Sequence, residues 1–159
     1  VETDITDWDF FIPGATSQVQ SADFALKGSN SLKVTLNGTA QSFASHARTI
    51  VIVPNTNYIF QFWIYTTISN IQVTMYVNTW RSDQSTFTGG LTGSFTRLLV
   101  PNQWNHCAFY GSNADATTAR AELDIDTVAA VSGDIVYLDN MYFGLFTPSQ
   151  RRFASSTTS

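Results

Sequence analysis

The sequence predicts an all-β domain of jelly-roll sandwich type, with two antiparallel sheets, about ten strands and little or no helix. Three observations carry that prediction. Apolar residues recur with a period of two in nearly every segment. Turn residues punctuate the chain at short, regular intervals. Charged residues make up only 13% of the chain, roughly half the usual share. Ser, Thr and Asn take their place. Thr is β-branched and suits strands, and Asn tolerates the left-handed conformation of turns. The 159 residues fit one domain, and the 43% apolar content argues against disorder. Residues 1–146 are expected to form the domain and 147–159 a polar C-terminal tail.

The elements follow in chain order. Residues 31–36 alternate polar and apolar, and Asn37-Gly38 then reads as a type I′ hairpin turn. Asn37-Gly38-Thr39 also matches the N-glycosylation acceptor pattern. Residues 50–53 are apolar on both sides, as in a central strand, and 54–57 form a turn. Two long strands are expected over 58–66 and 71–80. The Ser-, Thr- and Gly-rich stretch 82–93 reads as a long loop. Four more strands follow at 96–100, 104–110, 118–126 and 135–143, with turns between them. The one helical candidate, 113–122, is Ala-rich but ends in alternation, so only a short turn is expected there.

Charge narrows the partners. The net charge is −4, and Lys27 and Lys33 are the only lysines. A phosphate backbone needs clustered Lys and Arg, which only Arg151-Arg152 begins to supply, so nucleic acid is not an expected partner. Anionic membrane surfaces are disfavoured for the same reason, and no apolar run is long enough to span a bilayer. The single cysteine, Cys107, allows no internal disulfide and is expected to be a buried thiol. With neither a leader-like segment nor an initiating methionine, the sequence is expected to be a processed product or an excised segment.

Splitting the strands by parity gives the functional expectation. Successive side chains of a strand point to opposite sides. Over residues 58–65, Tyr58, Phe60, Phe62 and Ile64 oppose Ile59, Gln61, Trp63 and Tyr65. Over 71–80, Ile71, Val73, Met75 and Val77 oppose Gln72, Thr74, Tyr76, Asn78 and Trp80. Over 121–126, Ala121, Leu123 and Ile125 oppose Glu122, Asp124 and Asp126. One face of each strand is purely apolar and belongs to the core. The other mixes rings with amides and carboxylates. Rings stack on the C–H faces of pyranoses, and amides and carboxylates exchange hydrogen bonds with hydroxyls. The expected site is therefore a glycan platform on an aromatic-lined, concave sheet face. Trp63, Tyr65, Tyr76 and Trp80 would stack, and Gln61, Gln72, Asn78, Glu122 and Asp124 would orient hydroxyls. The face of Trp104, His106 and Tyr110 stays open, because both parities there carry rings.

The order of motifs resembles the carbohydrate-binding modules of the family 4/9 type, which are calcium-stabilised β-jelly rolls. The resemblance runs from about Trp8 to Phe143. It rests on Gly28-Ser29-Asn30-Ser31-Leu32-Lys33-Val34, on Val53-Pro54-Asn55-Thr56-Asn57-Tyr58, on Trp104 opening a strand, and on Thr117-Thr118-Ala119 preceding another. Its last motif is Gly133-Asp134-Ile135-Val136-Tyr137-Leu138-Asp139-Asn140-Met141. The resemblance implies non-catalytic binding of an oligo- or polysaccharide in an extracellular setting. It also implies one structural calcium, with Asp139 at the closing position. The family's N-terminal Gly-Phe-Glu element is not recognisable, and Glu2 and Asp4, with Asp7, are the available substitutes.

Two other readings stay open at this point. Such jelly rolls also serve as virion parts, in capsid decoration or tail adhesion, where the aromatic face would meet a homo-oligomer partner or another virion subunit. The third reading is a glycoside hydrolase using Glu122, Asp124 and Asp126, whose spacing along a strand permits a carboxylate pair. Catalytic acids usually flank a cleft from different strands, so no enzymatic activity is expected. His46 and His106 suggest no zinc motif.

Overall fold

The computed structural model describes residues 8–9, 15–39, 42–128 and 130–146. Among them are eleven strands and no helix. In chain order these are β1 (Trp8–Asp9), β2 (Ala15–Ser21), β3 (Ser31–Asn37), β4 (Ser42–Val51), β5 (Tyr58–Thr66) and β6 (Gln72–Trp80). They continue with β7 (Phe87–Gly90), β8 (Phe95–Leu98), β9 (Gln103–Gly111), β10 (Arg120–Val128) and β11 (Ser132–Leu145). All pairings are antiparallel. One sheet runs β1-β4-β10-β6-β7, with β8 sharing the outer edge of β6. The other runs β2-β3-β11-β5-β9.

The alternation expected from sequence decides which side chains fill the space between the sheets. Phe60, Phe62 and Ile64 of β5, Val34 of β3 and Val136 and Leu138 of β11 come from the five-stranded sheet. Phe43 of β4, Val73, Met75 and Val77 of β6, and Leu123 and Ile125 of β10 come from the six-stranded one. All are buried in a single cluster. Truncating a fully buried ring such as Phe62 costs about 3–5 kcal/mol, because the lost transfer energy is joined by a cavity that rigid neighbours cannot close. Cys107 belongs to this core, as expected, and burial pushes its thiol up to about 12.

Three local expectations change. Asn37-Gly38 is not a hairpin turn, because β3 and β4 lie in different sheets. Instead the Asn37 side-chain oxygen accepts the Thr39 N–H at 2.9 Å, and Gly38 takes φ +83° where the chain leaves the five-stranded sheet. A side chain at 38 would press on the backbone of Ser132. Residues 50–53 are not a central strand buried on both sides. β4 ends at Val51, and Val51 and Val53 are exposed. The supposed loop 82–93 contains β7, which pairs with the end of β6. The turn expected near residue 113 is present, without a helix. The polar tail 147–159 lies outside the described residues.

Candidate functional site

The outward side chains of β6 and β10 form a ladder on the six-stranded sheet. Register sets Trp80 opposite Arg120, Asn78 opposite Glu122, Tyr76 opposite Asp124 and Thr74 opposite Asp126. The polar contacts run along the diagonal. Asn78 Nδ2 donates to Asp124 Oδ2 at 2.8 Å. The Tyr76 hydroxyl donates to Asp126, 3.0 Å from Oδ2 and 3.2 Å from Oδ1. Sheet twist brings such diagonal neighbours within reach of long side chains. Asp124 is only 4% exposed, so its hydrogen bonds offset much of the cost of burying the carboxylate.

Arg48 reaches in from β4, on the far side of β10. Its Nε lies 2.9 Å from Glu122 Oε2, and its Nη1 donates to the Gln84 carbonyl at 3.0 Å. Its guanidinium carbon sits 3.5 Å from the Trp80 ring centroid. Phe87 of β7, opposite Trp80 in register, meets that ring edge-on at 5.3 Å and is 55% exposed. Trp80 Nε1 and Arg120 Nε are buried and meet no acceptor among the described residues. At the other end of β6, Gln72 stands opposite the exposed Leu98, and the Thr74 and Thr96 hydroxyls bond at 3.0 Å. One face thus offers rings at one end, amides and carboxylates in the middle and a short apolar edge at the other end.

The five-stranded sheet turns a second set of rings outward. Trp63 lies against His106, with centroids 4.9 Å apart, and Tyr65 lies against Trp104 at 5.6 Å. Trp104, His106 and Tyr110 therefore point away from the core, while Asn105, Cys107 and Phe109 point in. Burial of the His106 imidazole, with Arg97 nearby, holds its pKa below the ordinary 6.5. The segment between β2 and β3 folds over part of this face. Phe24 stacks on Tyr65 at 4.4 Å and meets the edge of Tyr137 at 4.9 Å. Asp139 Oδ2 accepts the Leu26 and Lys27 N–H groups at 2.8 and 3.0 Å, which fastens the segment down.

The model of the carbohydrate-binding domain family 4/9 matches residues 2–123. The chain belongs to this family. Comparison with curated proteins gives no match. Among solved structures, this carbohydrate-binding domain is similar to the C-terminal family 22 carbohydrate-binding module of Clostridium thermocellum Xyn10B. The two share 20% identity over 89% of this chain and 87% of that one, with a TM-score of 0.63. It is similar to the CBM22-1 xylan-binding domain of Paenibacillus barcinonensis Xyn10C, at 15% identity over 91% and 88% of the chains and a TM-score of 0.68. It also resembles part of the enzymatically active domain of tailspike protein 4 from bacteriophage CBA120. That match has 17% identity and a TM-score of 0.62 and covers 90% of this chain and 20% of the other. At these identities the likeness establishes the fold.

Against this fold, the expected nine-residue platform divides. Gln72, Tyr76, Asn78, Trp80, Glu122 and Asp124 share the outer face of the six-stranded sheet. Gln61, Trp63 and Tyr65 lie on the outer face of the five-stranded sheet, across the core. Parity tells inward from outward but does not say to which sheet a strand belongs. The chain changes sheets between β5 and β6. Two residues of the first face escaped the sequence reading. Arg48 stands two strands from the ring it covers, and Phe87 fell in the stretch read as a loop. The alternation Thr86-Phe87-Thr88 was the available signal.

Asp139 stands opposite Trp63 in register, on the outer side of the five-stranded sheet, beneath the segment between β2 and β3. It is 1% exposed, and besides Leu26 and Lys27 it accepts the Asn140 N–H at 2.6 Å. The backbone of the 22–30 segment approaches this carboxylate with the Leu26 and Lys27 N–H donors. Among the described residues no three His, Cys, Asp or Glu side chains gather to hold a metal ion. Glu2 and Asp4, the other acids expected at a calcium site, lie outside the described residues. Of the three acids expected at a calcium site, only Asp139 lies among the described residues, and calcium takes six to eight oxygens.

Proposed function

We propose that this carbohydrate-binding domain holds an extracellular polysaccharide along the outer face of the six-stranded sheet, without catalysing its cleavage. The observation that carries the reading is the β6–β10 ladder, where Tyr76, Asn78 and Trp80 interleave with Glu122, Asp124 and Asp126. Partly buried rings there sit beside amide and carboxylate groups, which suits the alternating C–H and hydroxyl surfaces of a pyranose. From Trp80 to Gln72 the ladder spans about 26 Å, long enough for several sugar rings in a row. The other face is partly covered by the chain's own residues 22–30, through Phe24 and Asp139.

The hydrolase reading finds no support in this arrangement. The three acids come from one strand, and each is engaged by Arg48, Asn78 or Tyr76. Xylan is the first ligand to try, because it is named for the Paenibacillus domain. Titration calorimetry against a panel of soluble glycans tests the proposal. Tyr76→Ala and Phe87→Ala should each weaken binding about tenfold, as for aromatic anchors that a partner covers, while Trp63→Ala should leave it unchanged. Loss of binding in Trp63→Ala alone would move the site to the opposite sheet.

A further inference from the structure

We infer that Arg48 determines which ring of the site does the stacking: it caps Trp80 and leaves Phe87 as the platform. This rests on the sheet face proposed above. A guanidinium 3.5 Å from the indole centroid occupies the space a sugar ring would need on that side. The cap is held at two further points. Glu122 fixes Nε at 2.9 Å, and the Gln84 carbonyl, in the turn between β6 and β7, fixes Nη1 at 3.0 Å. Three contacts on one planar group define its orientation far better than one would.

The neighbours are consistent with a capped ring. Trp80 is partly buried, and its Nε1 is buried and meets no acceptor among the described residues, so it offers a ligand neither its covered side nor its N–H. Phe87 sits edge-on to Trp80, is 55% exposed and has no polar atom to satisfy. Trp80 therefore acts as a support for Arg48 and Phe87. Arg48 is a positioning residue that directs the sugar to Phe87 and narrows the set of ligands to those that fit one ring beside a fixed cation.

The test is a double-mutant cycle on Arg48→Met and Phe87→Ala, read by glycan affinity. Met keeps the apolar stem and removes the guanidinium. In the parent protein, Phe87→Ala should cost about tenfold in affinity. In the Arg48→Met background the uncovered Trp80 ring can substitute, so the same change should cost less than about threefold. A second measurement needs no ligand. Acrylamide quenching of Trp80, taken as the difference between each protein and its Trp80→Phe counterpart, should rise in Arg48→Met. Thermal melting confirms that each variant is folded. Additive effects with unchanged quenching would overturn the role of Arg48 while leaving the site in place. No effect of Phe87→Ala in either background would overturn the site itself.

Discussion

The Arg48 guanidinium lies over the Trp80 ring at 3.5 Å while its Nε pairs with Glu122 at 2.9 Å, so one side chain ties β4, β10 and β6 together across the outer face. Arg48 and Glu122 are both partly exposed, with side-chain exposures of 38% and 17%, so solvent screens the ion pair. Its contribution lies in orientation more than in stability.

Glu122→Gln should therefore separate the two properties. The melting midpoint should move little, reflecting a stability loss below about 1 kcal/mol. Glycan affinity should fall several-fold, because Arg48 loses its nearest anchor. Calorimetry and thermal melting on the same preparation read both.

Asp139→Ala should act the other way, on stability before binding. It removes the acceptor for the Leu26 and Lys27 N–H groups and releases the segment that lies over Tyr65. Leaving donors unpaired beside a buried site costs on the order of 3 kcal/mol. Asp139→Asn keeps one acceptor oxygen and should cost less. Urea unfolding measures the difference. Chelation in the same assay reports on calcium: a lower midpoint supports a bound cation, and an unchanged one removes it.

The pH dependence follows from His106. Burial first, then Arg97, disfavours its protonated form in the folded state, so its folded pKa lies below the ordinary 6.5. The unfolded chain then binds more protons than the folded one in the window below 6.5. This contribution to stability is present above that value and is lost as pH falls through the unfolded pKa toward the folded one. His106→Asn should flatten the fall in melting midpoint between about pH 6.5 and 5. An unchanged slope would assign it to other groups.

Cys107 should be chemically silent in the folded protein. It is fully buried, and its thiol is pushed up to about 12. A thiol reagent at neutral pH should label it only as fast as the protein unfolds. Rapid labelling without denaturant would show that the core between β5 and β9 opens locally.

The sequence by itself determined the layers and the sidedness of this protein. Alternation in residues 60–66 and 72–80 is enough to say that Phe60, Phe62, Met75 and Val77 are core and that Trp63 and Trp80 are not, because a strand's side chains alternate whatever sheet it joins. The ordered motifs from Gly28 to Met141 were enough to point to the family. Tertiary structure decided which strands are neighbours. Pairing is non-local, and nothing in the alternation of β5 and β6 records that the chain crosses between sheets at residues 67–71. That crossing separates Trp63 and Tyr65 from Tyr76 and Trp80. Only three-dimensional pairing brings Arg48, Trp80, Phe87 and Glu122, from four different strands, onto one face.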